Sequence, residues 1–260
     1  MAEYLHEAVP KDARVLVVGC GNSDLSADMY DDGYSDLLST DFSDVVINKM
    51  RAKHQTARPR LRWEKMDMLA LEAEDASFDA VIDKAAMDAL MVDKGDPWNP
   101  DPATIERSHR MCTEVSRVLV PGGVFVQLSF EQVHFRSKIL LGEHAAAVAA
   151  AAASSSTASG ATVDDVRIGQ HAHEEDSGDG GCLSEGGTGG MYGWDMRVHD
   201  IQREGGCFGH FLYVLRKRYD EGSAGRGRRR AGPDRGLQAR WGGARRVSQC
   251  TGAFAAKLDE

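Results

Sequence analysis

The sequence lacks the features that mark membrane, exported or disulfide-bonded proteins. Its 260 residues contain no run approaching the roughly eighteen apolar residues that a membrane span requires. The N-terminus does not show the basic-then-apolar order of a secretory signal. The five cysteines are odd in number and form no C-x-x-C pair, so neither a disulfide framework nor a zinc site is expected. These absences predict a reducing compartment, the cytoplasm, and no metal centre.

Two segments also lack the large apolar residues that a packed core needs. Residues 142–190 run from alanine into Ser, Thr, Gly, Asp, Glu and His, and residues 221–260 are rich in Arg and Gly. Such segments bury too little surface to offset the entropy of ordering the chain. We therefore predict a disordered insertion and a disordered tail. The folded body consists of residues 1–141, the first part of a domain, and residues 191–220, which close it.

Charge is distributed unevenly between the body and the tail. The net charge is −9 at pH 7, yet residues 222–248 carry eight arginines and one aspartate. An acidic body does not suggest a nucleic-acid groove, so nucleic acid is a candidate partner only for the tail. An acidic body favours a basic protein substrate. The alternative is that the charge serves solubility alone.

The body alternates strand patterns with helix patterns. Val15 to Val18 form an uninterrupted β-branched and aliphatic run, typical of a strand buried on both faces. Further strands are predicted at the positions 36–40, 61–65, 78–82 and 123–129. Helices are predicted at 43–54 and 104–119, the second ending before a Pro-Gly-Gly turn. The alternation indicates βαβ units, an α/β fold with a mostly parallel sheet, and the apolar run near residue 208 adds a closing hairpin.

The first strand ends in a glycine-rich turn that predicts a cofactor site. Gly19 and Gly21 allow a tight turn and let a ligand approach the backbone without a Cβ in its way. Asp41 ends the second strand, where a carboxylate can accept hydrogen bonds from both hydroxyls of a ribose. The combination indicates a cofactor that contains adenosine.

Two further positions distinguish between adenosine cofactors. A dinucleotide fingerprint requires glycine at position 24, but Asp24 stands there, and a carboxylate at a helix N-terminus disfavours a pyrophosphate. Asp67 and Met68 follow the third strand, where an acid can accept from the adenine amino group and a methionine can pack on the ring. The set favours S-adenosylmethionine, which carries a cationic sulfonium and no phosphate. A nicotinamide oxidoreductase is the disfavoured alternative.

Several longer motifs stand out along the chain. They are VLVVGCGNS from Val15, the Asp41-Phe42-Ser43 turn, WEKMDM from Trp63, FDAVIDKAAMDAL from Phe78, EVSRVLVPGG from Glu114, His134-Phe135-Arg136, Tyr192-Gly193-Trp194 and the apolar run from Phe208. Together they resemble the seven-strand methyltransferases that modify lysine in translation elongation factor 1-alpha. Within that family, the similarity is to the methyltransferase-like 13 and elongation factor 1-alpha lysine methyltransferase 4 groups.

The resemblance implies a fold, a cofactor, a substrate and a set of site residues. The fold is a Rossmann-like, seven-stranded, mostly parallel sheet with helices on both faces and a C-terminal antiparallel hairpin. The cofactor is S-adenosylmethionine, and the substrate is a protein lysine of elongation factor 1-alpha. The family's cofactor contacts, together with the second glycine of the turn, fall on Gly19, Gly21, Asp41, Phe42, Asp67, Met68 and Lys84.

The chain departs from the family pattern at two places. Ala85 replaces the glycine that follows the fourth strand, and alanine is strained if that position needs a positive φ. The relatives also carry an aromatic and arginine-rich N-terminal segment that closes over the cofactor, to which only Tyr4 and Leu5 correspond here. Both departures favour an alternative in which the protein binds the cofactor as an inactive adaptor.

The methyl acceptor must be neutral, but a free lysine has a pKa of about 10.4. A carboxylate near the sulfonium can help to remove that proton, and Asp83 and Asp88 both follow the fourth strand. We predict Asp83 as the catalytic residue. The alternative is that Asp83 orients Lys84 or caps the next helix. A different protein or a small molecule also remains open as the acceptor, because this fold serves many substrates.

Overall fold

The computed structural model describes residues 2–92, 95–96, 99–143, 191–201 and 209–219. Seven strands form the main sheet. They are β1 (Arg14–Val18), β2 (Asp36–Asp41), β3 (Arg62–Lys65), β4 (Phe78–Lys84), β5 (Leu119–Ser129), β6 (Trp194–Ile201) and β7 (His210–Lys217). A separate two-residue antiparallel pair joins Gly95–Asp96 to Asn99–Pro100. The predicted insertion and tail lie outside the described residues, apart from Gly142 and Glu143.

The strand order is β3-β2-β1-β4-β5-β7-β6. Strands β1 to β5 pair in parallel, and β7 pairs antiparallel with both β5 and β6. Chain order reverses on the two sides of β1, which creates a crevice at the carboxyl ends of β1 and β4. The predicted α/β fold, with seven strands and a closing antiparallel hairpin, is confirmed.

Six described helices cover the sheet. They are α1 (Ala2–Ala8), α2 (Leu25–Asp31), α3 (Asp44–His54), α4 (Ala86–Leu90), α5 (Pro102–Val118) and α6 (Val133–Leu140). Helix α3 begins one residue after the predicted start, because the Ser43 hydroxyl accepts from the amide of Val46 and so caps the helix. Asp101 caps α5 in the same way, with Pro102 in its first turn.

The buried strand residues divide between two cores, one on each face of the sheet. Val15 and Val17 of β1 pack into the core beneath α1, α2 and α3, and Leu16 and Val18 pack into the core beneath α4, α5 and α6. All four residues are buried. Burial on both faces is the reason that this strand is an unbroken apolar run in the sequence.

The turn predicted at residues 121–123 lies inside β5 rather than before it. Leu119 pairs with Phe78, but the next pair joins Val124 to Ala80, so the extra residues of β5 loop out of the ladder. Gly122 has φ 81° within this loop. Helix α5 begins two residues earlier and ends one residue earlier than the predicted range 104–119, and β5 begins four residues earlier than predicted.

The closing hairpin is anchored to helix α6 by aromatic side chains. The Trp194 indole donates to the carbonyl oxygen of Leu140 at 2.7 Å, and the Trp194 side chain has no exposed surface. Tyr192 stacks at a tilt on Trp194, with 5.0 Å between ring centroids. Among the described residues, none of the helices combines the length and apolar character needed to cross a membrane.

Candidate functional site

A small crevice lies at the carboxyl ends of β1 and β4. Its lining includes Gly19, Cys20 and Ser23 from the turn after β1, and Lys84 from the end of β4. Val18 and Asp83 are register partners in adjacent strands, which brings the two strand ends together. The crevice therefore occupies the switch point where this class of sheet binds its ligands.

The two glycines of the turn have different structural roles. Both adopt a positive φ, 55° at Gly19 and 53° at Gly21, a region that side-chain-bearing residues rarely enter. A Cβ built on Gly19 would lie 2.5 Å from the Cβ of Ala86, whereas a Cβ on Gly21 would meet nothing within 4 Å. Gly19 is therefore required for close packing as well as for the turn, and Gly21 is required for the turn alone.

Asp41 links the glycine turn to helix α3. One carboxylate oxygen accepts from the amide of Gly21 and the other accepts from the amide of Ser43, each at 3.0 Å. A carboxylate has about four acceptor positions, so two remain for a ligand. The neighbouring Phe42 has 75% of its surface exposed and leaves an aromatic face open next to Asp41.

Asp67 and Met68 reach the same edge of the sheet from β3. Met66 donates its amide to the carbonyl oxygen of Asp41 at 3.0 Å, which aligns the ends of β2 and β3. Asp67 is exposed, and one of its carboxylate oxygens accepts from the amide of Leu69 at 2.9 Å. The Met68 sulfur lies 3.8 Å from the position that a Gly19 Cβ would occupy. The predicted cofactor residues thus gather at the ends of β1 to β4.

Ala85 adopts φ 64°, the left-handed conformation that was expected to strain an alanine. Its amide donates to the carbonyl oxygen of Leu128 at 3.0 Å, and its carbonyl accepts from the amide of Ala89. Ala85 is the residue before α4, so the strained position sets the direction in which α4 leaves the end of β4.

Asp83 lies beneath the crevice rather than in its lining. The side chain has no exposed surface. It accepts from the amide of Ala86 at 2.6 Å and from the amide of Met87 at 3.3 Å, both in the first turn of α4. Gln127 donates its side-chain amide to the same carboxylate at 2.7 Å. Burial raises the pKa of Asp83 to about 6. These contacts are those of the alternative interpretation, in which Asp83 caps the helix.

Asp24, the residue used to exclude a dinucleotide, precedes helix α2. Its carboxylate accepts from the ammonium of Lys53 at 2.6 and 2.8 Å and contacts His54 at 3.1 Å. The hydrogen bond from Lys53 lowers the pKa of Asp24, so the carboxylate is ionised near neutral pH. A negative charge at this helix N-terminus opposes phosphate binding.

Cys20 is the thiol of the crevice lining. Only 6% of the residue is exposed. Burial, followed by the charge of Asp41, raises its pKa to about 12, which keeps the thiol protonated. Cys20 is therefore a packing residue here rather than a nucleophile. Within the parts of the chain that the structure describes, no three His, Cys, Asp or Glu side chains are arranged to hold a metal ion.

A buried ion pair behind the crevice was missed in the sequence. Arg136, named there only as part of a motif, pairs with Asp88, and the two side chains are 1% and 3% exposed. Arg136 precedes Ile139 and Leu140 by three and four residues, and all three are buried in α6. An arginine at helical spacing with buried apolar residues was the signal that could have revealed it.

The chain is similar to methyltransferases. A family model for the methyltransferase domain matches residues 15–97. EEF1A lysine methyltransferase 4 of Bos taurus is 43% identical over 125 residues, covering 48% of this chain and 49% of that protein. The eEF1A lysine and N-terminal methyltransferase of Mus musculus is 40% identical over 138 residues, covering 53% of this chain and 19% of that protein.

A solved structure is also similar, although distantly. The S-adenosylmethionine dependent methyltransferase from Mesorhizobium loti aligns with 48% of this chain and 51% of its own, at 22% identity and a TM-score of 0.37. The matched part of the chain spans 49% of the length of the Bos taurus protein and 19% of the length of the Mus musculus protein. The resemblance stated from the motifs is confirmed: this chain is similar to the eEF1A lysine methyltransferases.

Proposed function

We propose that this protein is an S-adenosylmethionine-dependent methyltransferase that acts on a lysine of a protein, elongation factor 1-alpha. The observation that carries the proposal is Asp41. Its carboxylate is held by two backbone amides beside a glycine turn, and it keeps acceptor capacity for two hydroxyl groups. That arrangement suits the ribose of an adenosine cofactor better than it suits a phosphate.

The residues at the strand ends would hold the cofactor. Asp41 would accept from the ribose, Phe42 and Met68 would flank the adenine, and Asp67 would accept from the adenine amino group. Gly19, Gly21 and Lys84 would border the remainder of the cofactor, with Gly19 and Lys84 in the lining of the crevice. When bound, S-adenosylmethionine supplies an electrophilic methyl group on a sulfonium.

The protein's own part in the reaction is to orient the methyl donor and the acceptor and to exclude water. Methyl transfer needs the acceptor nitrogen in line with the donor, and correct placement supplies a large share of the barrier reduction. The acceptor amine must also lose its proton. Asp83 remains our prediction for a catalytic residue in that step. Because its side chain is buried beneath the crevice, the proton would have to reach it from the crevice, and its raised pKa of about 6 would let it accept a proton near neutral pH.

The kinetic role of Asp83 can be separated from its capping role. If it accepts the proton, the rate at saturating cofactor falls on acidification with a midpoint near about pH 6. Asp83→Asn would abolish that limb of the pH profile. If Asp83 only caps α4, the profile of the variant keeps its shape and the rate falls by the same factor at every pH.

The substrate proposal draws on the curated relatives, whose names specify eEF1A lysine methylation. The first experiment is transfer of radiolabelled methyl from S-adenosylmethionine to purified elongation factor 1-alpha. Asp41→Ala is run beside wild type, and Asp44→Ala serves as the control. Asp44 lies three residues away, exposed, and pairs only on the surface with Lys65 at 2.7 Å.

We expect label on the elongation factor with wild type and with Asp44→Ala. Asp41→Ala should lose at least about tenfold in cofactor affinity, since each hydrogen bond to a charged group contributes roughly 1.5–3 kcal/mol. Cofactor binding without label would mean either that the acceptor is a different molecule or that the protein does not turn over, and a screen of other proteins and small molecules separates the two. Unchanged affinity in Asp41→Ala would refute the adenosine site itself.

A cofactor-binding protein without turnover is the second candidate, and Ala85 favours it. Ala85 holds a left-handed φ of 64° directly after Lys84, which lines the crevice, so the strain falls on the turn next to the cofactor site. The Ala85→Gly variant tests this, because it removes the strain without adding atoms. Turnover that appears only in the variant would establish the inactive form.

The cytoplasm is the proposed compartment, in keeping with the free thiols of Cys20 and Cys112.

A further inference from the structure

Three polar side chains meet in the core behind the crevice, and we call them the Asp88 cluster: Asp88, Ser129 and Arg136. One oxygen of Asp88 accepts from the Ser129 hydroxyl at 2.6 Å and from the Arg136 guanidinium. Arg136 also donates to the Ser129 oxygen at 3.3 Å, so each member contacts the other two. The cluster thus ties together α4, the end of β5 and α6.

Burying the three polar side chains of the Asp88 cluster costs free energy, so the arrangement needs an explanation other than stability. Counted over the whole residue, backbone included, the exposed fractions are 0% for Arg136, 1% for Ser129 and 7% for Asp88. Arginine is almost never fully buried unless it is paired, and replacing a buried pair by apolar residues of similar volume is often neutral or stabilising. The Nε of Arg136 has no hydrogen-bond partner among the described residues. Stability alone does not account for this arrangement.

Helix α4 is the element that needs an external support. It has only five residues, fewer than an isolated helix needs, and it starts from the strained Ala85. Asp83 fixes its first turn from below through the amides of Ala86 and Met87. Asp88 fixes the same short helix from the other side through Ser129 and Arg136.

The start of α4 forms part of the cofactor crevice. The Cβ of Ala86 lies 2.5 Å from where a Cβ on Gly19 would be, and Lys84 lines the crevice two residues before Ala86. A small movement of α4 therefore changes the space beside Gly19 directly.

The cluster also fixes the loop that leaves β5. The second oxygen of Asp88 accepts from the amide of Phe130 at 3.3 Å, and the Ser129 hydroxyl accepts from the amide of Glu131 at 3.0 Å. Phe130 is 62% exposed although its backbone is held from inside the core. It follows the end of β5, the strand next to β4, and so lies on the side of the crevice away from Asp41 and Asp67.

We propose that the Asp88 cluster is a positioning element that holds α4 against the cofactor turn and, through the same carboxylate, holds the Phe130 loop beyond the end of β5, on the side away from Asp41. We call the start of α4 and the Phe130 loop the two walls. The proposal rests on the proposed function in that the two walls receive the donor and the acceptor. The cluster touches neither. It fixes the distance between the elements that do, and a displacement of about 1 Å can cost about 100-fold in rate.

The first test is Arg136→Lys, which keeps the positive charge but loses the planar fork that reaches both Asp88 and Ser129. The control is Arg58→Lys. Arg58 also donates to a carboxylate through its guanidinium, with one contact of 2.9 Å to Asp31 at the end of α2, but that pair is partly exposed and lies away from the crevice. Cofactor affinity, the maximal rate and the midpoint of thermal unfolding are measured for each variant. The two variants are compared at temperatures that lie equally far below their own unfolding midpoints.

We expect Arg136→Lys to lower the maximal rate at saturating cofactor about tenfold to 100-fold. Cofactor affinity should weaken about fivefold, while Arg58→Lys changes neither quantity by more than about twofold. Because Arg136→Lys removes buried contacts and can prevent folding, Ser129→Ala is made in parallel. Its control is Ser108→Ala, in which a serine equally buried in α5 loses its bond to the Thr104 carbonyl at 2.9 Å.

Hydrogen exchange supplies a readout that needs neither cofactor nor acceptor. Ser129→Ala should speed exchange at the amides of Met87, Asp88 and Phe130, and Ser108→Ala should not. If wild type bound no S-adenosylmethionine, the proposed function would fail, and the exchange data would still decide whether the cluster holds the two walls. Folded Ser129→Ala with unchanged exchange and unchanged rate would overturn the positioning role.

Discussion

The two halves of the crevice are built in different ways. On the side of β1 to β3, short loops are held by backbone amides around one carboxylate, Asp41, and the ion pairs nearby, such as Lys53 with Asp24, are half-exposed. On the side of β4 and β5, the walls are held by a buried ion pair with almost no exposed surface. The first half is shaped by glycine conformation, and the second by charge in a core.

The largest difference between the two halves is expected when the cation is removed from one ion pair in each half. Arg136→Met leaves the buried carboxylate of Asp88 without its cation, and the free energy of unfolding should fall by about 3–5 kcal/mol. Lys53→Met removes the same charge from a half-exposed pair and should cost less than about 1 kcal/mol. Urea denaturation of the three proteins measures both values. Equal losses would mean that the two pairs do not differ in kind.

The glycine turn offers a matched comparison within the first half. Gly21→Ala should cost about 1–2 kcal/mol, the price of a left-handed alanine. Gly19→Ala meets the same backbone penalty and in addition forces a Cβ to within 2.5 Å of Ala86, which adds about 1–3 kcal/mol. Urea denaturation of both variants checks the order. A Gly21 variant that lost as much as the Gly19 variant would show that packing against Ala86 contributes nothing.

The second half should also respond to pH through Asp83. Its pKa is raised from 3.8 to about 6 in the folded protein, so the folded state holds this proton more tightly than the unfolded state does. The contribution of Asp83 to stability is therefore largest below about pH 4 and decreases as pH rises to about 6, by up to about 3 kcal/mol in total.

Asp83→Asn cannot titrate, so the stability of wild type relative to this variant should decline across that interval. Chemical denaturation at a series of pH values measures the difference, and other carboxylates cancel because both proteins share them. Asp12→Asn, at an exposed position, gives the baseline. A difference that stays constant with pH would mean that Asp83 is ionised in the folded protein throughout the interval.

The smallest effect is expected where the two halves meet, at Ala85. Ala85→Gly relieves a left-handed conformation and should raise the free energy of unfolding by about 1 kcal/mol. Ala89→Gly, at an exposed position inside the same helix, should lower it by about 0.5–1 kcal/mol. Thermal denaturation distinguishes the opposite signs. A loss of stability in both variants would contradict the strain assigned to Ala85.

The first half was predictable from the sequence because its residues act locally. Gly19, Gly21 and Asp41 are found by their distance from strands that are recognisable as apolar runs, and the contact between Gly21 and Asp41 spans only twenty residues. The fold followed in the same way, since buried strands and capped helices such as α3 carry their own signals. The start of β5 was misplaced because the Pro-Gly-Gly segment, which loops out inside the strand, has the same sequence pattern as a turn that precedes a strand.

The second half could not be predicted from local pattern. Asp88 and Arg136 are 48 residues apart, and either could equally have been a solvated surface charge. Asp83 was assigned to the acceptor side of the site. Its burial and its capping contacts with α4 became known only from the structure, in which its carboxylate accepts three hydrogen bonds. Helices α1 and α6 were also missed, and α4 was anticipated only as the helix that Asp83 caps, because seven, eight and five residues are too few to show a helical period.

The strand order has a consequence for how the protein is made. Strand β5 lies between β4 and β7, but β7 is the last strand in the part of the chain that the structure describes, and residues 130–209 separate it from β5. While a ribosome synthesises those residues, one edge of β5 has no partner, and an unpaired strand edge promotes association between chains. The sheet is complete only when Lys217 has left the exit tunnel, so the emerging chain depends on its own final hairpin for protection.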